Sequence, residues 1–191
     1  MLDNKLVDIL TQIDDVRNDN YLVAVNQVLG NQDYIKIIKD NPDFSNGTYD
    51  VDLRGSYIPN IKFFLRLSDI YSSQEKVDII NYIWTAAVHF DLVGALDEQQ
   101  YGDNDIDYER LSLRGFIIFV WDFTHDKQQV QQWKDRIIQL VNNEINKHNH
   151  YHDLDYGNKD GNDRDDDEEY DETQKLNQHE IISWLQSHLT I

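Results

Sequence analysis

The stretch Thr124–Asn146, THDKQQVQQWKDRIIQLVNNEIN, decides the fold. Val130, Trp133, Ile137, Leu140, Val141 and Ile145 recur three or four residues apart, with Gln, Lys, Asp and Arg between them. That period lines the apolar side chains along one stripe of an α-helix and leaves the opposite face polar. Thr124 stands where an N-cap hydroxyl belongs. One apolar stripe on a long helix needs other elements to cover it, so the remaining chain is read for helices that supply them.

Upstream, the same period recurs. Leu2, Leu6, Ile9, Leu10, Ile13 and Val16 form one amphipathic helix; a second covers Tyr21 to Leu29 and stops at Gly30, and Tyr34 to Ile38 adds a turn or two before Pro42. Between Asn41 and Asn60, Pro42, Asn46-Gly47, Gly55 and Pro59 mark turns. Within that region Tyr49, Val51 and Leu53 alternate with Asp50, Asp52 and Arg54, the period of a short edge strand. Ile58 to Tyr71 is read as helix, although Ile61, Phe63, Leu65 and Leu67 also fit a strand paired with 49–53.

Ser72-Ser73-Gln74-Glu75 is a capping box, opening a helix to about Val93. Its two apolar stripes, Val77, Ile80, Trp84, Ala87 and Ile79, Ile83, Ala86, Phe90, place it centrally in the core. Gly94 to Asp107 is a polar loop. The aromatic and β-branched run Gly115–Trp121 has strand preference, but its length favours a buried helix beginning at Asp107.

From Asn149 to Glu172 eleven carboxylates face only Lys159 and Arg164, and Leu154 is the lone aliphatic residue. Such a segment buries too little to offset its ordering entropy. Asn177 and Glu180 then form a cap pair for a last helix with Ile181, Trp184, Leu185 and His188 on one face. No repeat of 20 to 50 residues is present. The expected organisation is a helical domain over 1–148, an acidic flexible segment over 149–173 and a C-terminal helix over 174–191 docked on the main domain. The fold class is mainly α: a single-domain bundle of about six to eight helices, with room for one short β-hairpin and a disordered acidic insertion before the last helix.

Charge narrows the function. Lys and Arg total 17 against 36 Asp and Glu, a formal charge of -19. Phosphate backbones and anionic headgroups are repelled by such a surface, so no direct nucleic-acid or membrane partner is expected, and a basic protein partner is. The absence of Cys removes disulfides, thiolate metal sites and thiol catalysis. No signal-peptide pattern opens the chain, and the longest apolar run, Phe116 to Trp121, is too short for a membrane span; a cytoplasmic protein is expected.

A like-charge block is ordinarily a solvated face. Here a second acidic cluster at Asp97–Glu109, and a charge of -10 remaining outside the 149–172 run, favour recognition. Tyr151, Tyr156 and Tyr170 interleave the carboxylates, so the segment is expected to mimic the charge spacing and the stacking faces of a nucleic acid. The expected partner-binding residues are Asp97, Glu98, Asp103, Asp105, Asp107, Asp163, Asp165, Asp166, Asp167, Glu168, Glu169, Tyr170, Asp171 and Trp184. Trp84, Trp121 and Trp133 are assigned to the core, and Trp184, beyond the acidic run, to an interface anchor.

Other constellations are weaker. His148, His150 and His152 alternate, a composition that binds metal, yet a flexible segment gives no preorganised geometry. Tyr156 to Asp167 matches parts of a calcium loop, with Gly161 at the sixth place, but Tyr156 and Asp167 stand where two strong ligands belong. No metal site and no cofactor is therefore assigned. His89, with Asp91 nearby, and His125 are read as core or cap residues, and no phosphate loop, dinucleotide fingerprint or nucleophile elbow occurs, so no catalytic residue is named.

These observations lead to an acidic binding or inhibitor protein that neutralises a basic, nucleic-acid-handling protein. Immunity proteins of nuclease toxins and phage anti-defence inhibitors, anti-CRISPR proteins among them, work in this manner. The Asn-, Asp-, Ile- and Tyr-rich composition fits an AT-rich bacterial or phage genome. Two alternatives stand beside it: a metal-dependent helical enzyme using His and Asp groups around 89–125 and 148–155, and a regulatory or structural subunit whose acidic loop only maintains solubility.

Overall fold

The computed structural model describes residues 4–15, 18–40, 46–51, 57–59, 61–88, 95–96, 111–157 and 175–191. The protein is mainly α-helical, and among the described residues there is one two-stranded antiparallel hairpin. The buried residues described form two clusters, a smaller one built by the first helices and a larger one built by the later ones.

Helices α1 (Asn4–Asp14), α2 (Tyr21–Leu29) and α3 (Gln32–Asp40) enclose the smaller core. Leu6, Ile9, Leu10 and Ile13 of α1 meet Ala24, Val25 and Val28 of α2 and Ile38 of α3. These are the positions that the helical period selects. Gly30 does close α2, but in the right-handed region at φ -79, so its left-handed freedom goes unused. Asn31 starts α3 with its side-chain oxygen accepting from the backbone N–H groups of Asp33 and Tyr34 at 3.0 and 3.3 Å.

Strands β1 (Asn46–Val51) and β2 (Tyr57–Pro59) pair with Asn46 opposite Pro59 and Val51 opposite Tyr57, the register shifting between them. The strand expected near 49–53 is thus present. Its partner comes from the start of the run read as helix, and α4 is confined to Ile61–Arg66, followed by a 3-10 turn at Ser68–Ile70. Pro59 explains the boundary, because its ring drives the preceding Ile58 out of the α region.

Within α4, Phe63 points into the smaller core and Phe64 into the larger. Their rings meet edge to face at 6.4 Å, and Phe64 also touches Tyr71 and Phe123. Arg66, at the end of α4, reaches back to α1. Its guanidinium donates to the carbonyls of Ile13 at 2.5 Å, Asp15 at 3.0 Å and Asn18 at 3.5 Å, and lies 4.0 Å over the Tyr21 ring. A cation at the carbonyl end of α1 satisfies orphan acceptors and opposes the helix dipole together.

The larger core starts at α5 (Ser73–Ala87), whose capping box is complete: Glu75 N–H donates to Ser72 Oγ at 3.4 Å and Ser72 N–H to Glu75 Oε2 at 2.7 Å. The helix ends at Ala87, short of Val93, because Val88 turns extended; 89–94 lie outside the described residues. Next comes α6 (Leu113–Thr124), a helix and not a strand, as length had favoured. It starts later than Asp107: Ser112 is extended and its Oγ accepts from Gly115 N–H at 2.9 Å.

Residue His125 breaks the chain into two helices. Its backbone is left-handed, φ 51, and its N–H donates to Trp121 O at 2.7 Å. Asp126 then caps α7 (Lys127–Gly157), accepting from Gln128 and Gln129 N–H at 2.8 and 3.4 Å. The cap is therefore Asp126 and not Thr124, which is the last residue of α6; its hydroxyl donates to Val120 O at 2.7 Å and accepts from Asp126 N–H at 3.1 Å. Buried Val130, Trp133, Ile137, Val141 and Ile145 follow the expected stripe, with Leu140 half-buried at its edge. The helix runs on past Asn146 to Gly157, through the first residues of the segment expected to be flexible; the rest of that segment, from 158 to 173, lies outside the described residues.

The last helix, α8 (Gln178–His188), packs along α7 and adds Ile181, Leu185 and Leu189 to the larger core. Its cap pair is as read: Glu180 N–H donates to Asn177 Oδ1 at 3.3 Å and Asn177 Nδ2 to Glu180 Oε2 at 3.2 Å. Two polar clasps fix its start. Asn149 of α7 exchanges both amide bonds with the backbone of Leu176, at 2.8 and 3.1 Å, and Gln178 donates to Asn142 at 2.7 Å.

Arg66 ties α4 to the end of α1 through three backbone carbonyls. Arg66→Ala should lower stability by roughly 2 kcal/mol, the worth of hydrogen bonds to a charged group. Arg66→Lys should recover less than half, because an ammonium cannot fork to several carbonyls. Urea unfolding of the three proteins measures both.

Candidate functional site

Of the expected partner-binding residues, Asp97, Glu98, Asp103, Asp105, Asp107, Asp163, Asp165, Asp166, Asp167, Glu168, Glu169, Tyr170 and Asp171 lie outside the described residues. So do His89 and Asp91. The structure places only Trp184 from that set. It sits on α8, partly buried against the larger core, with its ring stacked on His188 at 4.6 Å and 18° between planes. Trp84 and Trp121 are buried to a similar degree and Trp133 more fully, so all four pack on the core and burial does not set Trp184 apart. His125 is the exposed cap of α6, edge-on to Trp121 at 5.5 Å.

Beside α8 lies an open groove of about 390 Å³, lined by Asn142, Gln178, His179, Ile182, Ser183 and Gln186. Its lining is amide- and hydroxyl-rich and includes no carboxylate. It therefore has hydrogen-bonding capacity without the charge that dominates the sequence.

An arrangement that sequence reading missed joins α5, α6 and α7. Trp84, Phe116 and Trp133 form a triangle of rings with centroids 4.8 to 5.2 Å apart. Over it lies the Arg136 guanidinium, 4.5 Å from the Trp133 ring and 6.0 Å from Trp84. The i, i+3 spacing of Trp133 and Arg136 was visible in the sequence, but the second indole arrives from α5 and only the fold supplies it.

Charge on the described helices is balanced, not acidic. From Leu111 to Tyr151 the cations Arg114, Lys127, Lys134, Arg136 and Lys147 meet Asp122, Asp126, Asp135 and Glu144. Lys39 of α3 donates to Glu75 Oε2 at 2.8 Å, across the two halves. That bond, with those from Ser72, holds the Glu75 carboxyl down to about 2. Burial, with the nearby Glu75 charge adding to it, pushes the Tyr71 hydroxyl above its ordinary value. Among the described residues no group of three or more His, Cys or carboxylate side chains converges to hold a metal, and no helix is long and apolar enough to cross a membrane.

No protein-family model, curated protein or solved structure matches the chain.

The Glu75 network gives a signed pH dependence. A carboxyl depressed from 4.5 to about 2 on folding stabilises the protein above pH 4.5 and loses that contribution as pH falls through 2. Glu75 is partly solvated, so solvent screening keeps the effect small. Unfolding curves between pH 5 and 2 should fall less steeply for Glu75→Gln than for the parent; parallel curves would rule the network out.

Proposed function

We propose that the protein is an acidic binding and inhibitor protein that neutralises a basic, nucleic-acid-handling protein. The observation that carries this is the uneven placement of charge along the chain. Segment 97–109 has six carboxylates and no cation, and segment 149–172 has a surplus of nine, leaving four of the nineteen excess charges for all other residues. Carboxylates present only for hydration would be distributed over the helices as well. Instead α6 and most of α7 are close to neutral. Concentrated like charge raises encounter rates with a cationic surface and competes with phosphate for it.

The helical body supports this reading as a scaffold. In the sequence 97–109 falls between α5 and α6 and 149–172 spans the end of α7 and the chain that leads to α8, and partly exposed Trp and Arg side chains supply the contact chemistry common at binding centres. Immunity proteins and phage anti-defence inhibitors, anti-CRISPR proteins included, are the functional classes that fit this chemistry.

The immobilised full chain should retain a basic protein from a bacterial or phage-infected extract at low salt, release it at moderate salt, and lose it to added DNA. The variant D163N, D165N, D166N, D167N, E168Q, E169Q, D171N should associate at least about tenfold more slowly. Equal association by that variant, with no salt dependence, would end the proposal.

A further inference from the structure

We infer that the outward stripe of α6, centred on Ile118 and Trp121, is the apolar anchor of the interface with the basic partner, where it takes an aliphatic side chain flanked by lysines or arginines. The inference rests on the reading that the partner is basic, and it adds where the dry part of that contact lies.

Helix α6 is apolar on two sides. Leu113, Phe116, Ile117, Phe119, Val120 and Phe123 are buried in the larger core. A helix that buries one such face ordinarily carries polar residues on the other, and one that is apolar all round is ordinarily covered all round. Here Arg114, Ile118 and Trp121 follow at i, i+4 and i+7, one line along the side away from the core. Ile118 is 38% exposed although both its neighbours are buried. Trp121 is half-buried, and the exposed His125 meets it edge-on at 5.5 Å, closing the end of the line.

Charge says what covers the line. The face itself is balanced, with Arg114 and Asp122 both exposed, one of each sign. The six carboxylates of 97–109 come directly before α6 in the sequence. Leu111 N–H donates to Ala87 O at 3.0 Å, which pins the point where the chain enters α6. Chain length alone holds Asp107 and Glu109 within about 14 Å of Leu111, and Ile118 stands about 8 Å along the axis from Leu113. A cationic segment drawn to those carboxylates therefore comes within reach of Ile118 and Trp121. Nucleic acid and anionic membrane are repelled by the same charges, and a second copy would set one acidic segment against the other. Carboxylates at the rim speed encounter, while a desolvated Trp-centred contact slows release.

The test is calorimetric titration of the full chain at low salt, beside I118Q and L22Q, with two synthetic peptides. One has eight lysines and two serines; in the other, leucines replace the serines. The leucine peptide should bind the parent and L22Q at least about fivefold more tightly than the serine peptide, the gain that half-burial of one leucine supplies, and I118Q within about twofold of it. Leu22 is the control because it is 59% exposed on α2, far in sequence from 97–109. Far-UV circular dichroism confirms that both variants remain folded. A leucine gain that is absent from the parent, survives in I118Q or disappears in L22Q would overturn the anchor, as would a parent dimer that I118Q makes monomeric. Serine-peptide binding that is missing, or indifferent to salt, would instead sink the reading of the acidic segments, and the anchor with it.

Discussion

Two adjacent rings hold the molecule together. Phe63 and Phe64 follow one another on a helix of six residues, yet each is buried in a different core. Arg66, on the same helix, closes α1 by binding its terminal carbonyls. Burying each such ring is worth roughly 2 to 3 kcal/mol, so α4 couples two clusters that would otherwise be short helical assemblies. Lys39 and Glu75 add a polar tie across the same divide, and Lys76 binds the terminal carbonyl of Phe123 on α6 at 2.9 Å.

That coupling frees the rest of the surface for charge. The aliphatic and aromatic stripe of α7, covered by α6 on one flank and α8 on the other, needs no help from ion pairs. Repulsion among carboxylates destabilises a compact state least when they are kept off the packed helices, and from Leu111 to Tyr151 the described helices carry five cations against four carboxylates. Polar clasps at Asn149 and Gln178 anchor the chain where α8 begins.

Much of the fold was legible because its signals are local. The caps at Ser72 and Asn177 each need only four residues to be recognised, and both occur as read. Where two caps compete within three residues, locality fails: Thr124 and Asp126 are both good caps, and the left-handed turn at His125 decides for Asp126. The end of α7 was missed for a different reason. Low apolar content after Asn146 argues against independent order, but extending an existing helix costs far less than starting one. Pro59 held the signal for the shortened α4, outweighed in the reading by the apolar period that follows it. At the candidate site, the sequence named the carboxylates, while the ring triangle beneath Arg136 required the fold.

The central claim is that gathered carboxylates, and not the neutral helical faces, meet a cationic partner. Zero-length carbodiimide cross-linking of the captured complex joins protein carboxylates directly to lysines of the partner. The predicted result is cross-links concentrated in 97–109 and 158–172. Cross-links confined to carboxylates of the helical body, such as Asp8, Asp33 or Asp135, would contradict it.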